Sequence, residues 1–299
     1  MRTRIYIDGY NLYYGCLKRT SLKWLDLMSL FEQQILPSIS WQGKALPAAL
    51  EPVAIKFFTA PILEKAAKAS DSLACQEQYH SALRKHLPGR VQLIPGYYAL
   101  TKARGKAVDA SDAGKWPRHC QDVDVWKLEE KQTDVNLAIH ALKDALCNEV
   151  DQVVIVTNDT DIAPAVEMIR QMTQVLVGLV VPTTAHQRRP NDALATHAHW
   201  IRTHITVSEL RAAQFPRVIT HGKKSAIKPL SWYAHSDVLR SVLNLAVTVR
   251  GGQTAAFKWL TVPNMHFNGR SPLELIESGA GQQVIDYQRS WTAQVSPGE

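Results

Sequence analysis

Apolar residues follow two rhythms along this chain, and their alternation sets out a fold. Short, nearly continuous apolar runs occur at "IYID", "PVAIKFFTA", "RVQLIPGYYAL", "QVVIVTND" and "QVLVGLVVP". Such runs, rich in Val and Ile and bounded by Gly, Pro, Asn or Asp, predict strands. The uninterrupted ones predict strands covered on both faces, as in a parallel sheet. Between them the spacing changes to the helical period. Asn11 to about Thr20 and "LDLMSLFEQQIL", with Asp26 as its cap, predict helices, as does "SLACQEQYHSALRKHL", stopped by Pro88 and Gly89. "TDVNLAIHALKDALCNE" places Leu137, Ala138, Ala141, Leu142 and Ala145 on one helical face, and "DIAPAVEMIRQM" and "VSELRAAQF" are shorter helices. "VDVWKLEEK" adds a further strand. Strands alternating with helices predict an α/β layered sheet.

Two stretches break the alternation. Thr101 to His119 carries Lys102, Arg104, Lys106, Lys115 and Arg118 among Gly and Ser, and predicts a basic surface loop. "PRVITHGKKSAIKP" is basic, contains Pro and Gly, and shows little periodicity, so residues 217–231 predict a linker. The reading is therefore an α/β domain over 1–216 and a small, mostly helical domain over 232–299. In the latter, Ser271 as cap, Pro272 at the first helical position and Glu274 form a capping-box signature, and Pro263-Asn264 marks the turn before it.

Composition narrows the class. With 299 residues and 45% hydrophobic content the chain can bury a sizeable core. Its net charge of +7 permits acidic partners without demanding them, because the excess is spread along the chain. Cys16, Cys75, Cys120 and Cys147 contain no Cys-x-x-Cys pair, which argues against a zinc ribbon and a disulfide-stapled fold. Asp8 interrupts the first apolar run, and the longest run, Val175 to Val181, is too short to cross a bilayer. A cytoplasmic protein with no membrane partner is expected.

The chemistry lies where strands end. Ligands of open α/β sheets sit at the carboxyl ends of strands. Asp8 ends the first strand, Asp134 opens the amphipathic helix, and Asp159 and Asp161 follow the most hydrophobic strand. Gathered on one edge they would repel one another, and a divalent cation is the usual resolution. Oxygen ligands select Mg²⁺ or Mn²⁺, which suit phosphoryl chemistry. Each acid also has a structural alternative: a turn for Asp8, a helix-dipole charge for Asp134, a cap for Asp159.

"IYIDGYNLYYG", "EEKQTDVNLAIHALKDAL" and "VVIVTNDTDIAPAV" resemble, in this order, the NYN domain, a PIN-like nuclease fold that includes the LabA-like proteins. The resemblance spans about residues 1–216 and implies a parallel sheet flanked by helices and metal-dependent cleavage of RNA, single-stranded RNA in the first place. It implies Asp8, Asp134, Asp159 and Asp161 as catalytic metal-site acids, with Asn11 and Asn158 as polar supports. Where many relatives carry a second Asp on the central helix this chain has His140, about 120° around the helix from Asp134, which reads as a rim residue. Lys131, Arg188, Arg189 and the Lys102 to Arg118 loop are the candidate phosphate contacts. Tyr10, Tyr13 and Tyr14 could stack bases, though their helical spacing favours burial.

The C-terminal stretch resembles a second family. Trp259-Leu260, Pro263-Asn264 and "GRSPLEL" from Gly269 look like the toxin-binding domain of Xre/MbcA/ParS antitoxins. That resemblance implies self-association or a protein partner. The preferred expectation is a Mg²⁺- or Mn²⁺-dependent endoribonuclease with a C-terminal dimerisation or partner-binding module. The alternative is a non-catalytic adaptor, and His140 is the feature that favours it.

Overall fold

The structure is a computed structural model that describes residues 1–112, 114–184, 188–222 and 224–295, with side chains to Trp291. Its centre is a sheet of six parallel strands: β1 (Arg2–Asp8), β2 (Ala49–Thr59), β3 (Val91–Pro95), then, later in the chain, three further strands. Between the two sets stand β4 (Tyr97–Lys106) and β5 (Asp122–Lys131), which pair only with each other as an antiparallel hairpin arm. The sheet resumes with β6 (Gln152–Val156), β7 (Leu176–Val180) and β8 (Trp200–Arg202). The strand order is β8-β7-β6-β1-β2-β3, so β1 and β6 are central and adjacent.

Burial follows the predicted pattern. Every residue of β6 is buried, and in β1 all but Arg2 are. Successive side chains point to opposite faces. Tyr6, Phe58, Val153, Ile155, Val177 and Leu179 therefore share one face, packed against α2 (Thr133–Leu146) and α3 (Ala163–Met172) through Leu137, Ala141, Val166 and Ile169. Ile5, Ile7, Val154 and Val156 point to the other face and are equally dry. At ~1.5–3 kcal/mol for each fully buried aliphatic or aromatic side chain, this double-sided core is the main stabilising term of the layer. The helix α1 (Ser72–His86) ends against Pro88 as predicted. Asp26 caps the helical segment after it, accepting from the Ser29 amide at 3.1 Å.

Two stretches differ from expectation. The first third of the basic stretch, Thr101 to Lys106, is strand, because β4 runs on to Lys106 and pairs residue for residue with β5; the other described residues of the stretch are loop and a short turn. The arm's charges are matched within it: Lys106 meets Asp122 at 3.0 Å and Lys115 meets Asp109 at 2.8 Å, with Arg104 beside Asp124. Residues read as linker include a small hairpin, β9 (Val218–His221) with β10 (Lys224–Ile227).

The chain divides into two compact units, Met1–Cys16 with Leu25–Ala226, and Leu17–Trp24 with Ile227 onward. The second is helical: α4 (Ser236–Arg250), α5 (Gln253–Thr261), α6 (Pro272–Glu277) and α7 (Gly281–Val295) enclose Leu239, Val242, Leu260, Leu273, Ile276 and Val284. Its capping box is complete, with Ser271 Oγ accepting from the Glu274 amide and Glu274 Oε2 accepting from the Ser271 amide at 2.7 Å. No helix among the described residues is long and apolar enough to cross a membrane.

Candidate functional site

The sheet delivers its acids to one edge. Asp8 is the last residue of β1 and is 4% exposed. Asn11 holds it from both atoms: its amide donates to Oδ1 at 2.9 Å and its side chain to Oδ2 at 2.5 Å. Thr157, just beyond β6, donates to Oδ2 at 2.8 Å. The turn closes tightly because Gly9 lies against β2; a Cβ there would meet the Phe58 carbonyl oxygen at 2.7 Å.

On the neighbouring strand end the Asp159 amide is held by Thr157 Oγ1 at 3.1 Å, and the Asp159 carboxylate accepts from the Asp161 amide. Asp159 is thus the cap foreseen as its structural alternative, and one cap bond leaves carboxylate lone pairs to spare. Asp134 enters from the first turn of α2. Chain geometry aims it: Gln132 adopts a left-handed conformation (φ 73°), turning the backbone sharply from β5 into the helix.

These acids act on one another through their charges. Burial, and then the charges of Asp8, Asp159, Glu130 and Asp161, push the Asp134 carboxyl up to about 7. Asp8 is also raised, chiefly by burial and further by Asp159, against the hydrogen bonds from Asn11 and Thr157. Glu130 completes the group and was not anticipated. Burial and Asp8 raise it, while bonds from Thr133 and from Tyr98, whose hydroxyl lies 3.3 Å from Oε2, lower it. Its position four residues before Asp134, at the last inward-facing position of a strand, is the signal that could have found it.

The other predicted residues fall around this group. Asn158 accepts from the Asn191 amide at 2.9 Å and donates to the Arg189 carbonyl at 3.1 Å, so it fixes the segment carrying Arg188 and Arg189, both exposed. Lys131 is bonded to Glu129 at 3.3 Å and, by strand alternation, lies on the face opposite Glu130. His140 is not among the acids. Its Nδ1 stands 3.3 Å from Lys56 Nζ and its ring lies beside Phe58; burial and then Lys56 lower its pKa. The tyrosines, expected mainly in the core, are at the surface, with Tyr10 44%, Tyr13 38% and Tyr14 42% exposed.

Can such a group hold a metal? Among the described residues no three acid, histidine or cysteine side chains converge closely enough to cage an ion as they stand. The donor chemistry nevertheless fits a hard cation: the donors are carboxylates, and the largest charges that act on Asp134 are negative. Mg²⁺ ordinarily keeps several waters and uses only one or two carboxylates. Asp134 and Asp159, with Asp8 behind them, suit that mode of binding.

A second carboxylate centre lies deeper on the same elements. Asp144 of α2 is fully buried, and its Oδ2 accepts from Arg4 at 2.7 Å, Tyr6 at 2.7 Å and Lys56 at 2.6 Å. Burial opposes its charge, yet the bonds from Lys56, Tyr6 and Arg4 hold it down at about 2. It locks α2 to β1 and β2, and so fixes Asp134 relative to Asp8.

Two family models match the chain. The family model of the NYN domain matches residues 2–199, and that of the antitoxin Xre/MbcA/ParS C-terminal toxin-binding domain matches residues 245–287. The chain is 50% identical to the 6-hydroxy-3-succinoylpyridine 3-monooxygenase HspA of Pseudomonas putida, over 98% of this chain and 96% of that protein. A crystal structure of a Vibrio parahaemolyticus protein of unknown function aligns at 19% identity over 69% of this chain and 92% of that one, with a TM-score of 0.35. With an α/β layer that carries acids at its strand ends and a separate helical unit, the chain belongs to the NYN domain family and carries an Xre/MbcA/ParS-type toxin-binding domain at its C-terminal end.

Proposed function

We propose that this protein is a Mg²⁺- or Mn²⁺-dependent ribonuclease whose C-terminal unit recruits a protein partner or a second copy. The observation that carries the reading is the placement of Asp8, Asp134, Asp159, Asp161 and Glu130 on one edge, where the largest charges acting on Asp134 are those of the other four acids. An edge so negative repels a phosphodiester unless a cation intervenes. When bound, such a cation supplies positive charge to the phosphate under attack and acidifies a nearby water.

The chain's own residues do the rest. Asn11 and Thr157 hold Asp8 in one orientation, and Asp134 and Asp159 offer the more accessible oxygens. Asp134, on the first turn of α2, holds a cation directly or through water, or takes the proton of the attacking water. Arg188 and Arg189 are the phosphate contacts. The arm is a weaker candidate for that role than its sequence suggested, because its lysines and arginines are largely matched by its own acids.

A second reading rests on the 50% identity to a protein named as a hydroxypyridine monooxygenase. That activity would need O₂ and a reductant. The turn after β1, where a dinucleotide fold carries a glycine-rich phosphate loop, here reads Asp8-Gly9-Tyr10-Asn11 and would set a carboxylate against a pyrophosphate.

The test runs both reactions on the full-length protein. One is cleavage of labelled single-stranded RNA with Mn²⁺; the other is turnover of 6-hydroxy-3-succinoylpyridine with O₂ and a nicotinamide reductant. Chelator-sensitive RNA cleavage that falls by at least about a hundredfold in Asp8→Asn, Asp134→Asn and Asp159→Asn is expected. Cleavage equal in all variants would overturn the assignment. Pyridine turnover that the same variants abolish, without RNA cleavage, would establish the second reading; no turnover of either substrate favours an adaptor.

A further inference from the structure

Two exposed aromatic rings stand beside the acids. Tyr10 and Tyr14, one helical turn apart, stack with centroids 4.2 Å apart at 29°, yet each is more than 40% exposed. Tyr13 meets Tyr14 edge-on at 5.3 Å. A core would have covered this pair, since large aromatics contribute most when buried.

Tyr98 joins them from the base of the arm, a segment remote in sequence. It is bonded to Glu130, and after burial and Glu130 the groups that raise its pKa include Tyr14 and Tyr10. Tyr10 in turn feels Glu130 and Asp8. Three aromatic side chains from two segments therefore flank the acids.

Arginines mark a further part of the same edge. Asn158, next to Asp159, holds the Arg189 carbonyl, and the Arg188 charge acts on the Cys16 thiol in the turn that also carries Tyr13 and Tyr14. The rings thus lie beside the carboxylates, and the segment that carries Arg188 and Arg189 is tied to Asn158 next to Asp159. This is the chemistry of a single-stranded nucleic-acid track, in which bases stack on aromatics and cations follow the backbone. A paired base keeps its faces inside the duplex and cannot use such a platform.

We propose that Tyr10, Tyr14 and Tyr98 form a base-stacking subsite beside the acid edge, with Arg188 and Arg189 neutralising the phosphates of the strand it holds. The inference rests on the ribonuclease reading and deepens it. The base beside the scissile phosphate lies on the Tyr10/Tyr14 pair, and its phosphate reaches the carboxylates.

The experiment measures binding of a short fluorescent single-stranded RNA by the full chain in Ca²⁺, beside the same RNA made abasic. Cleavage in Mn²⁺ is followed separately. The double variant Tyr10→Leu/Tyr14→Leu should bind the normal RNA on the order of tenfold more weakly. It should bind the abasic RNA as wild type does, and Tyr10→Phe/Tyr14→Phe, which keeps the rings, should restore affinity. Equal wild-type affinity for normal and abasic RNA, or an unaffected double variant, overturns the subsite while leaving Asp-dependent cleavage to stand. Failure of the wild type both to bind and to cut RNA overturns the ribonuclease reading itself, and the subsite with it.

Discussion

Helix α2 carries two aspartates with opposite fates. Asp144 is surrounded by donors and cations; Asp134, at the other end of the helix, faces other carboxylates. Strand β1 supplies both environments, with Arg4 and Tyr6 to the first and Asp8 to the second. The contrast separates a charge compensated within the fold from one that the fold leaves among like charges. Like-charge crowding costs stability and persists when something outside the chain relieves it.

The sharpest way to break the comparison is Asp144→Ala. Removing it strands Arg4 and Lys56 in the core, and truncating one partner of a buried ionic network costs about 3–5 kcal/mol. The denaturant midpoint should drop accordingly, whereas Asp8→Asn, which relieves repulsion, should lower it little or raise it. Next in size is the cation effect. Saturating Mg²⁺ or Mn²⁺ at pH 8, about a hundredfold above its dissociation constant, should stabilise the fold by about 2.7 kcal/mol in a melting experiment. The gain should vanish in Asp159→Asn and shrink at pH 5.5, where the Asp134 carboxyl is protonated.

A smaller effect appears in stability against pH without divalent cations. The folded-state pKa of Asp134, about 7, lies above its ordinary value of 3.8, so the folded chain holds the proton more tightly than the unfolded one. This group's contribution to stability is therefore full below about pH 4 and declines as pH rises towards and through 7. Asp134→Asn should flatten that decline. Least of all, Asp151→Asn at the exposed Arg2 pair should leave the midpoint unchanged, since solvent already screens it.

Much of the layer was legible in the chain. β6 is apolar throughout, α2 shows its buried face in Leu137, Ala141 and Ala145, and the Ser271 box is local. The acids at strand ends were also legible, because position along a strand fixes position on the sheet. What escaped depends on pairing between distant segments. Lys102 to Lys106 read as solvated charge until β5 brought Trp126, Asp124 and Asp122 alongside. Glu130 joined the site only because the arm folds back at its base. Asp144 left a trace, a carboxylate three positions from Ala141 on an apolar face, but nothing local points to Arg4 and Lys56 as its partners.

The hairpin leaves and rejoins the layer at a single pair of register partners, Tyr97 and Lys131. Among the described residues its root is tied to the acid edge through Glu130, which bonds Tyr98 and feels the charge of Asp8. A change of length at its tip therefore leaves the register of all six strands of the sheet untouched.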